Sequence, residues 1–319
     1  LNEQRLLRIL AVFTSMGAYL MVLMGAIVSA TESGRGCGGS WPFCHGQLIP
    51  QSMPVDTVIE YSHRIISGID GFFILLLTVW IWFRFKKDQR AKILSGMSLF
   101  FVVLQGALGA LTVVFEETFS KNFALALHFG FSLITFASVV LLTVHFFQNR
   151  QGTVGKKVFP VSQRMKTAVW ALSAYTYVIV YTGALVRHTD ATMACGYSFP
   201  FCGGLYLPNL SSLAGIQMLH RFGAFSLWIL VLLFMILVLR SYRARTDLVR
   251  ASIMALILIT LQAVSGVIII LTGGKLVPEM VHSTIISVFF CVLSYLCMQV
   301  GTPWGKKRPV LIPEEGITH

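Results

Sequence analysis

Eight stretches of the 319-residue chain read as continuous apolar runs broken only by isolated polar residues. None shows the strict alternation of a half-buried strand. They cover residues 8–29, 57–83, 92–114, 122–147, 166–187, 212–240, 249–271 and 277–300. Each is long enough to carry a helix across hydrocarbon, which takes roughly 18–20 residues. The pattern therefore predicts eight transmembrane helices. The first run has no A-x-A-like cleavage site and is followed by further spans, so it is expected to stay as a helix and not to be removed as a signal peptide.

Composition agrees. The chain is 55% hydrophobic and 12% charged, with a mean hydropathy of +0.75, whereas a soluble domain is nearer a quarter charged. The net charge of +12 would suggest a nucleic-acid partner only if it were clustered on a soluble surface. Instead it falls in short segments on one side of the predicted spans. Arg5 and Arg8 precede the first span. Arg84, Lys86, Lys87, Arg90 and Lys92 follow the second, and Arg150, Lys156, Lys157, Arg164 and Lys166 follow the fourth. Arg240, Arg243, Arg245 and Arg250 follow the sixth, and Lys306, Lys307 and Arg308 lie in the tail. By the positive-inside rule this face and both termini are cytoplasmic. Glu32, Asp56, Glu116, Glu117 and Asp190 mark the outer face. The expected location is a cell membrane, with the lipid bilayer as a partner and no nucleic acid.

The chain also repeats itself. Gly25-Ala26-Ile27-Val28 recurs as Gly183-Ala184-Leu185-Val186, and the loop Cys37–Cys44 recurs as Cys195–Cys202. His63-Arg64 recurs as His220-Arg221, Leu104-Gln105-Gly106 as Leu261-Gln262-Ala263, and His128 as His282. Features held in register and in unbroken order indicate an internal duplication. Each copy has four spans, so both copies have the same topology and are related by an axis along the membrane normal. The expected architecture is an all-α integral membrane protein of two tandem four-helix bundles with pseudo-two-fold symmetry. Residues 1–150 form the first bundle, 151–165 a cytoplasmic linker, 166–302 the second bundle and 303–319 a flexible cytoplasmic tail.

The chemistry sits on the even-numbered spans. His63, His128, His220 and His282 each lie about five to eight residues inside the outer end of a span, roughly 8–12 Å deep at 1.5 Å per residue. Within each half this puts two imidazoles at matched depth on different helices, near the outer face. That arrangement can grip a flat iron macrocycle from both sides. A lone membrane histidine usually serves packing; a matched pair present in both halves favours ligation. His45, His188, His145 and His319 lack the symmetry, with His45 and His188 left as weaker outer-face candidates. The halves differ at one position. Glu60 precedes His63 by three residues, whereas Gln217 precedes His220. A carboxylate in an apolar pocket can work as acid or base, and an amide cannot. The competing reading of Glu60 is a helix-dipole contact, a role that Asp56 can fill. Arg64 and Arg221 suit haem propionates, because a guanidinium forks onto a carboxylate; snorkelling to the interface is the alternative. Arg187 is a similar, weaker case.

Each C-x6-C lies in an outer loop with Pro, Gly and aromatic residues, where an oxidising compartment allows disulfides. Cys37–Cys44 and Cys195–Cys202 are read as intra-loop bridges that stiffen lids over the pockets. A zinc site using His45 is weakened by Gly203 at the matching place, and a redox role for one pair stays open. Cys291 and Cys297 fit packing. The small-residue runs at Gln105–Ala110 and Ala263–Gly266 suit close helix contact or room for a macrocycle.

Together these motifs resemble the haem A synthases of terminal oxidase assembly, over nearly the whole chain from Gly25 to about Ser294. The resemblance is carried by Glu60-x-x-His63-Arg64, the paired cysteine loops, Gln105-Gly-Ala-Leu-Gly, His128, Val186-Arg187-His188-Thr189, Gln217-x-x-His220-Arg221 and His282. It implies conversion of the C8 methyl of haem O to a formyl group by successive hydroxylations and loss of water. It also implies a haem b cofactor on His220 and His282, haem O as substrate on His63 and His128, and catalysis by Glu60. A haem O-producing farnesyltransferase would be a partner, and the electron donor is unidentified. The residues alone leave a second reading open, a di-haem b-type cytochrome passing electrons from quinol. A transporter, suggested by the repeat, would place its polar residues at the midplane instead.

Overall fold

The computed structural model describes residues 3–114, 119–150, 160–203 and 208–304. All of the long elements are helical: α1 Glu3–Ala30, α2 Val55–Arg84, α3 Gln89–Val114, α4 Phe119–Arg150, α5 Gln163–His188, α6 Leu213–Ser241, α7 Thr246–Leu271 and α8 Leu276–Val300. All eight are long and apolar enough to cross a membrane. Helices are what a lipid-exposed chain must form, because each N–H and C=O is then satisfied within its own segment. The helices match the eight predicted runs and extend a few residues beyond them at most ends. The added residues are polar ones that a hydropathy reading stops at, such as Glu3 and Gln163. Glu116, Glu117, most of the linker and its Lys156 and Lys157, the tail with Lys306, Lys307 and Arg308, and His319 lie outside the described residues.

Helix starts have local causes. Ser162 accepts a hydrogen bond from the Met165 backbone N–H at 3.2 Å to cap α5. Ser212 does the same for Gly215 N–H at 3.1 Å to cap α6. At the other ends of α1 and α5 the chain turns through left-handed residues, Glu32 (φ 55°) and Asp190 (φ 57°). These occupy matching positions in the two copies. So do His45 (φ 53°) and Gly203 (φ 57°) in the disulfide loops. The second loop places glycine where the backbone favours it, and the first holds a histidine there.

Packing follows the duplication. α1 lies against α2 and α4, α2 against α3, and α3 against α4; α5 lies against α6 and α8, α6 against α7, and α7 against α8. Between halves, α4 meets α5, α8 meets α1, and α4 meets α8. Exchanging α1–α4 with α5–α8 maps this set onto itself. The seam buries Ala18 and Val22 of α1, Leu133 and Phe136 of α4, Val180 of α5 and Phe290 of α8. Tyr19 and Thr284 share a hydroxyl hydrogen bond of 3.1 Å across it. Each half also has its own apolar cluster, around Leu7, Leu77, Ile81 and Leu142 in the first and Leu227, Val231, Phe289 and Leu293 in the second. At the end of the bundle away from the loops, Asp88 pairs with buried His145 at 2.7 Å, so this histidine serves a structural contact. Cys291 and Cys297 are buried free thiols, in keeping with packing.

Candidate functional site

Four imidazoles stand at one end of the bundle, beneath the two disulfide loops. His63 and His128 lie within electrostatic range of one another, and so do His220 and His282. The structure thus brings the predicted residues together as two pairs, one per half. Each ring rests on a glycine of a neighbouring helix. A methyl group at Gly25 would come within 3.5 Å of His63 Cε1, and one at Gly109 within 3.4 Å of His128 Cε1. In the second half the distances are 2.8 Å from Gly183 to His220 Cε1 and 3.4 Å from Gly266 to His282 Cε1. The repeated Gly25 and Gly183 motifs are therefore cradles for the histidines of α2 and α6. The small-residue runs of α3 and α7 do the same for α4 and α8.

Hydrogen bonds select the tautomer. His128 Nδ1 lies 2.8 Å from the Gln105 carbonyl, which can only accept. Thr182 Oγ1 donates to the Ile179 carbonyl, so it accepts from His220 Nδ1 at 3.1 Å. Ser265 Oγ donates to the Gln262 carbonyl and accepts from His282 Nδ1 at 2.8 Å. In all three rings Nδ1 carries the proton and Nε2 keeps its lone pair. None of the four Nε2 atoms has a hydrogen-bond partner among the described residues. An imidazole anchored through Nδ1 with a bare Nε2 is oriented for metal ligation. His63 is held more loosely, by Ser67 Oγ at 3.5 Å.

Glu60 and Gln217 occupy equivalent places and share one contact. Glu60 Oε2 accepts from Cys37 N–H at 2.8 Å, and Gln217 Oε1 accepts from Cys195 N–H at 2.9 Å. Each side chain thus ties its helix to the first cysteine of the loop above it. Their second atoms diverge for a chemical reason. The amide of Gln217 needs an acceptor and donates to the Thr192 carbonyl at 2.6 Å. The other carboxylate oxygen of Glu60 needs a donor and takes Arg64, through Nε at 3.1 Å and through a close contact with Nη2. Arg64 Nη1 donates to the carbonyls of Ser40 and Phe43, both at 2.7 Å. Arg221 Nη1 donates to those of Ser198 at 2.9 Å and Pro200 at 3.2 Å, and its guanidinium lies over Phe199. The disulfides Cys37–Cys44 and Cys195–Cys202 are both formed. The arginines are fastened to the loops and do not snorkel freely.

Two further residues bear on the first half. Asp70 lies seven residues beyond His63 on α2, about 10 Å deeper at 1.5 Å per residue. It is 1% exposed, and neither carboxylate oxygen has a hydrogen-bond partner. It faces Gly17 of α1, where a methyl group would come within 2.2 Å of Oδ1. The sequence reading passed over it, although an acidic residue inside an apolar run is a usable signal. His188, at the end of α5, lies within electrostatic range of His128 in the other half. Its neighbour Arg187 donates to the Ser29 carbonyl of α1 at 2.7 Å and makes a charge contact of 3.5 Å with Glu279 of α8. Arg187 therefore staples the halves together.

Residues 8–294 match the family described as cytochrome oxidase assembly protein. The chain belongs to that family. It is 40% identical over 294 residues to a protein named Heme A synthase from Halalkalibacterium halodurans, spanning 92% of this chain and 97% of the relative. A protein of the same name from Shouchella clausii is 42% identical over 297 residues, with 92% and 97% covered. One from Alkalihalophilus pseudofirmus is 39% identical over 298 residues, with 93% and 98% covered. The family match runs through both histidine pairs and both loops, so neither half stands outside it.

Proposed function

We propose that the protein is a haem A synthase: a membrane oxidoreductase that converts the C8 methyl group of haem O to a formyl group by successive hydroxylations. The observation that carries the site assignment is the pair of imidazoles in each half, resting on glycine and bare at Nε2, three of the four anchored through Nδ1. A haem iron fits that donor set, because it takes neutral imidazole nitrogen as a ligand. The second pair, His220 and His282, would hold a resident haem b. The first pair, His63 and His128, receives haem O. Resident haem b supplies one-electron redox chemistry next to the substrate half. The relatives' name favours this reading over a di-haem electron carrier.

The protein's own groups then divide the work. Thr182, Ser265 and Gln105 hold the imidazole protons at Nδ1 and keep the Nε2 lone pairs directed at the metal position. Gly25, Gly109, Gly183 and Gly266 let the helices approach the rings. Glu60 lies one turn from His63, and the second half has the amide of Gln217 in its place. The Glu60 carboxylate, buried beneath the Cys37 loop, is placed to hold or move a proton beside the substrate. The disulfide loops, fastened through Glu60 and Arg64 and through Gln217 and Arg221, cap the two sites and limit water entry. In this orientation the loops face outward and the basic segments and both termini lie in the cytoplasm. The N-terminal half, residues 1–150, is the substrate unit, and residues 166–302 form the cofactor unit.

The test is to extract the porphyrins that copurify with the wild-type protein. A fixed amount of haem b, accompanied by variable haem O, its hydroxylated form and haem A, is expected. Two equivalents of haem b per chain and no formyl product would overturn the assignment in favour of the electron carrier.

A further inference from the structure

The two arginines that follow the site histidines on α2 and α6 differ in what they have left to offer. All three nitrogens of Arg64 are committed, Nε and Nη2 to Glu60 and Nη1 to two loop carbonyls. Arg221 uses Nη1 in the same way, but its Nε and Nη2 are buried and have no hydrogen-bond partner among the described residues. The cause is one atom. Gln217 carries NH2 where Glu60 carries O−, so it turns to the Thr192 carbonyl and leaves the guanidinium alone. A buried guanidinium with two free donors on one edge calls for a carboxylate in fork geometry. A haem presents carboxylates as its propionates.

We propose that the residue at this position sets which half keeps its haem. In the second half, Gln217 leaves the Nε/Nη2 edge of Arg221 open, and a propionate of the resident haem closes it. In the first half, Glu60 occupies the same edge of Arg64, so an incoming propionate meets an already neutralised cation. Haem O would therefore be held by His63, His128 and apolar contacts alone, and the product could leave. Retention and exchange are two settings of one duplicated device, and Glu60 sets the exchange side in addition to its role beside the substrate. The inference rests on the haem assignment above.

The test uses the purified full-length protein and follows transfer of haem b to excess apomyoglobin by absorbance. Gln217→Glu should capture Arg221 and release haem b at least tenfold faster than wild type. Arg221→Lys, which keeps the charge but loses the fork, should also release faster. Glu60→Gln should free Arg64, so that titration with haem b ends near two retained equivalents per chain instead of one. Repeating the exchange with haem b dimethyl ester, whose propionates are capped, should abolish the difference between wild type and Gln217→Glu. That control separates propionate binding from any loss of the Thr192 contact. An unchanged release rate in Gln217→Glu, or a difference that persists with the ester, would overturn the proposal. If Glu60→Gln still makes haem A, the catalytic role of Glu60 fails while the release rates continue to decide the retention question. A wild-type protein that holds no haem b would remove both.

Discussion

The two halves of this protein share helix order, loop shape, glycine cradles and histidine placement, yet several side chains differ where chemistry would be done. Glu60, Ser67 and Asp70 line one side of α2; Gln217, Ala224 and Leu227 stand at the matching turns of α6. The second half is the more settled of the two. Both its imidazoles are anchored by hydroxyls, its amide is satisfied by the backbone, and Leu227 joins its apolar core. The first half has a loosely held His63, an ion pair at its mouth and an unpartnered carboxylate deeper in. On the proposed assignment, duplication supplies the frame, and a few polar substitutions in one copy would separate a holding site from a working one. Ionisable groups are costly in a membrane and persist where they act.

The contrast can be broken most sharply at Glu60. Glu60→Gln, which writes the second half's residue into the first, should reduce haem A formation at least a hundredfold while the haem b spectrum remains, because general acid–base groups contribute about 10²–10⁴-fold. Extraction and separation of the haems measures it, and normal haem A output would show that the carboxylate is dispensable. A smaller effect is expected from the cradles. Gly183→Ala puts a methyl 2.8 Å from His220, so the ring must move and haem b should bind more weakly by about tenfold or more, whereas Gly25→Ala, at 3.5 Å from His63, should be tolerated. Equal losses in a spectral titration would show that the cradles do not differ.

Next come the groups that fix the ring protons. Ser265→Ala and Thr182→Val should each weaken haem b binding by roughly tenfold, in line with the usual cost of removing an outer-sphere partner. Ser67→Ala, at a contact of 3.5 Å, should change little. The smallest effect is expected at Asp70. Asp70→Ala removes a buried carboxyl with no partner, so stability should rise by about 1 kcal/mol. Thermal unfolding in detergent measures this, and a clear loss of stability would mean that the carboxyl supports the fold.

Much of this was readable in the chain. Length and apolar continuity fix eight spans, and the registered repeats foretell the matched packing of the halves. The histidine pairs and both disulfides follow from the same register. What the sequence could not display is where second atoms turn. Nothing in Glu60-x-x-His63-Arg64 reveals that the carboxylate would take both the Cys37 amide and Arg64, or that Gln217 would leave Arg221 half free. Those outcomes depend on the loop folding back over the helix start, which is a tertiary contact. Asp70 was missed for a different reason: its run is so apolar that one acidic residue does not disturb the span, and only burial without a partner gives it weight. His188 likewise comes within electrostatic range of His128 through the packing of α5 on α4.

The division of labour between the halves is tested most directly by haem content in paired ligand variants. Haem b should vanish from the purified protein in His220→Ala/His282→Ala and remain at the wild-type level in His63→Ala/His128→Ala, which should make no haem A. Loss of haem b from the first-half variant, or its survival in the second-half variant, would contradict the assignment of a holding half and a working half.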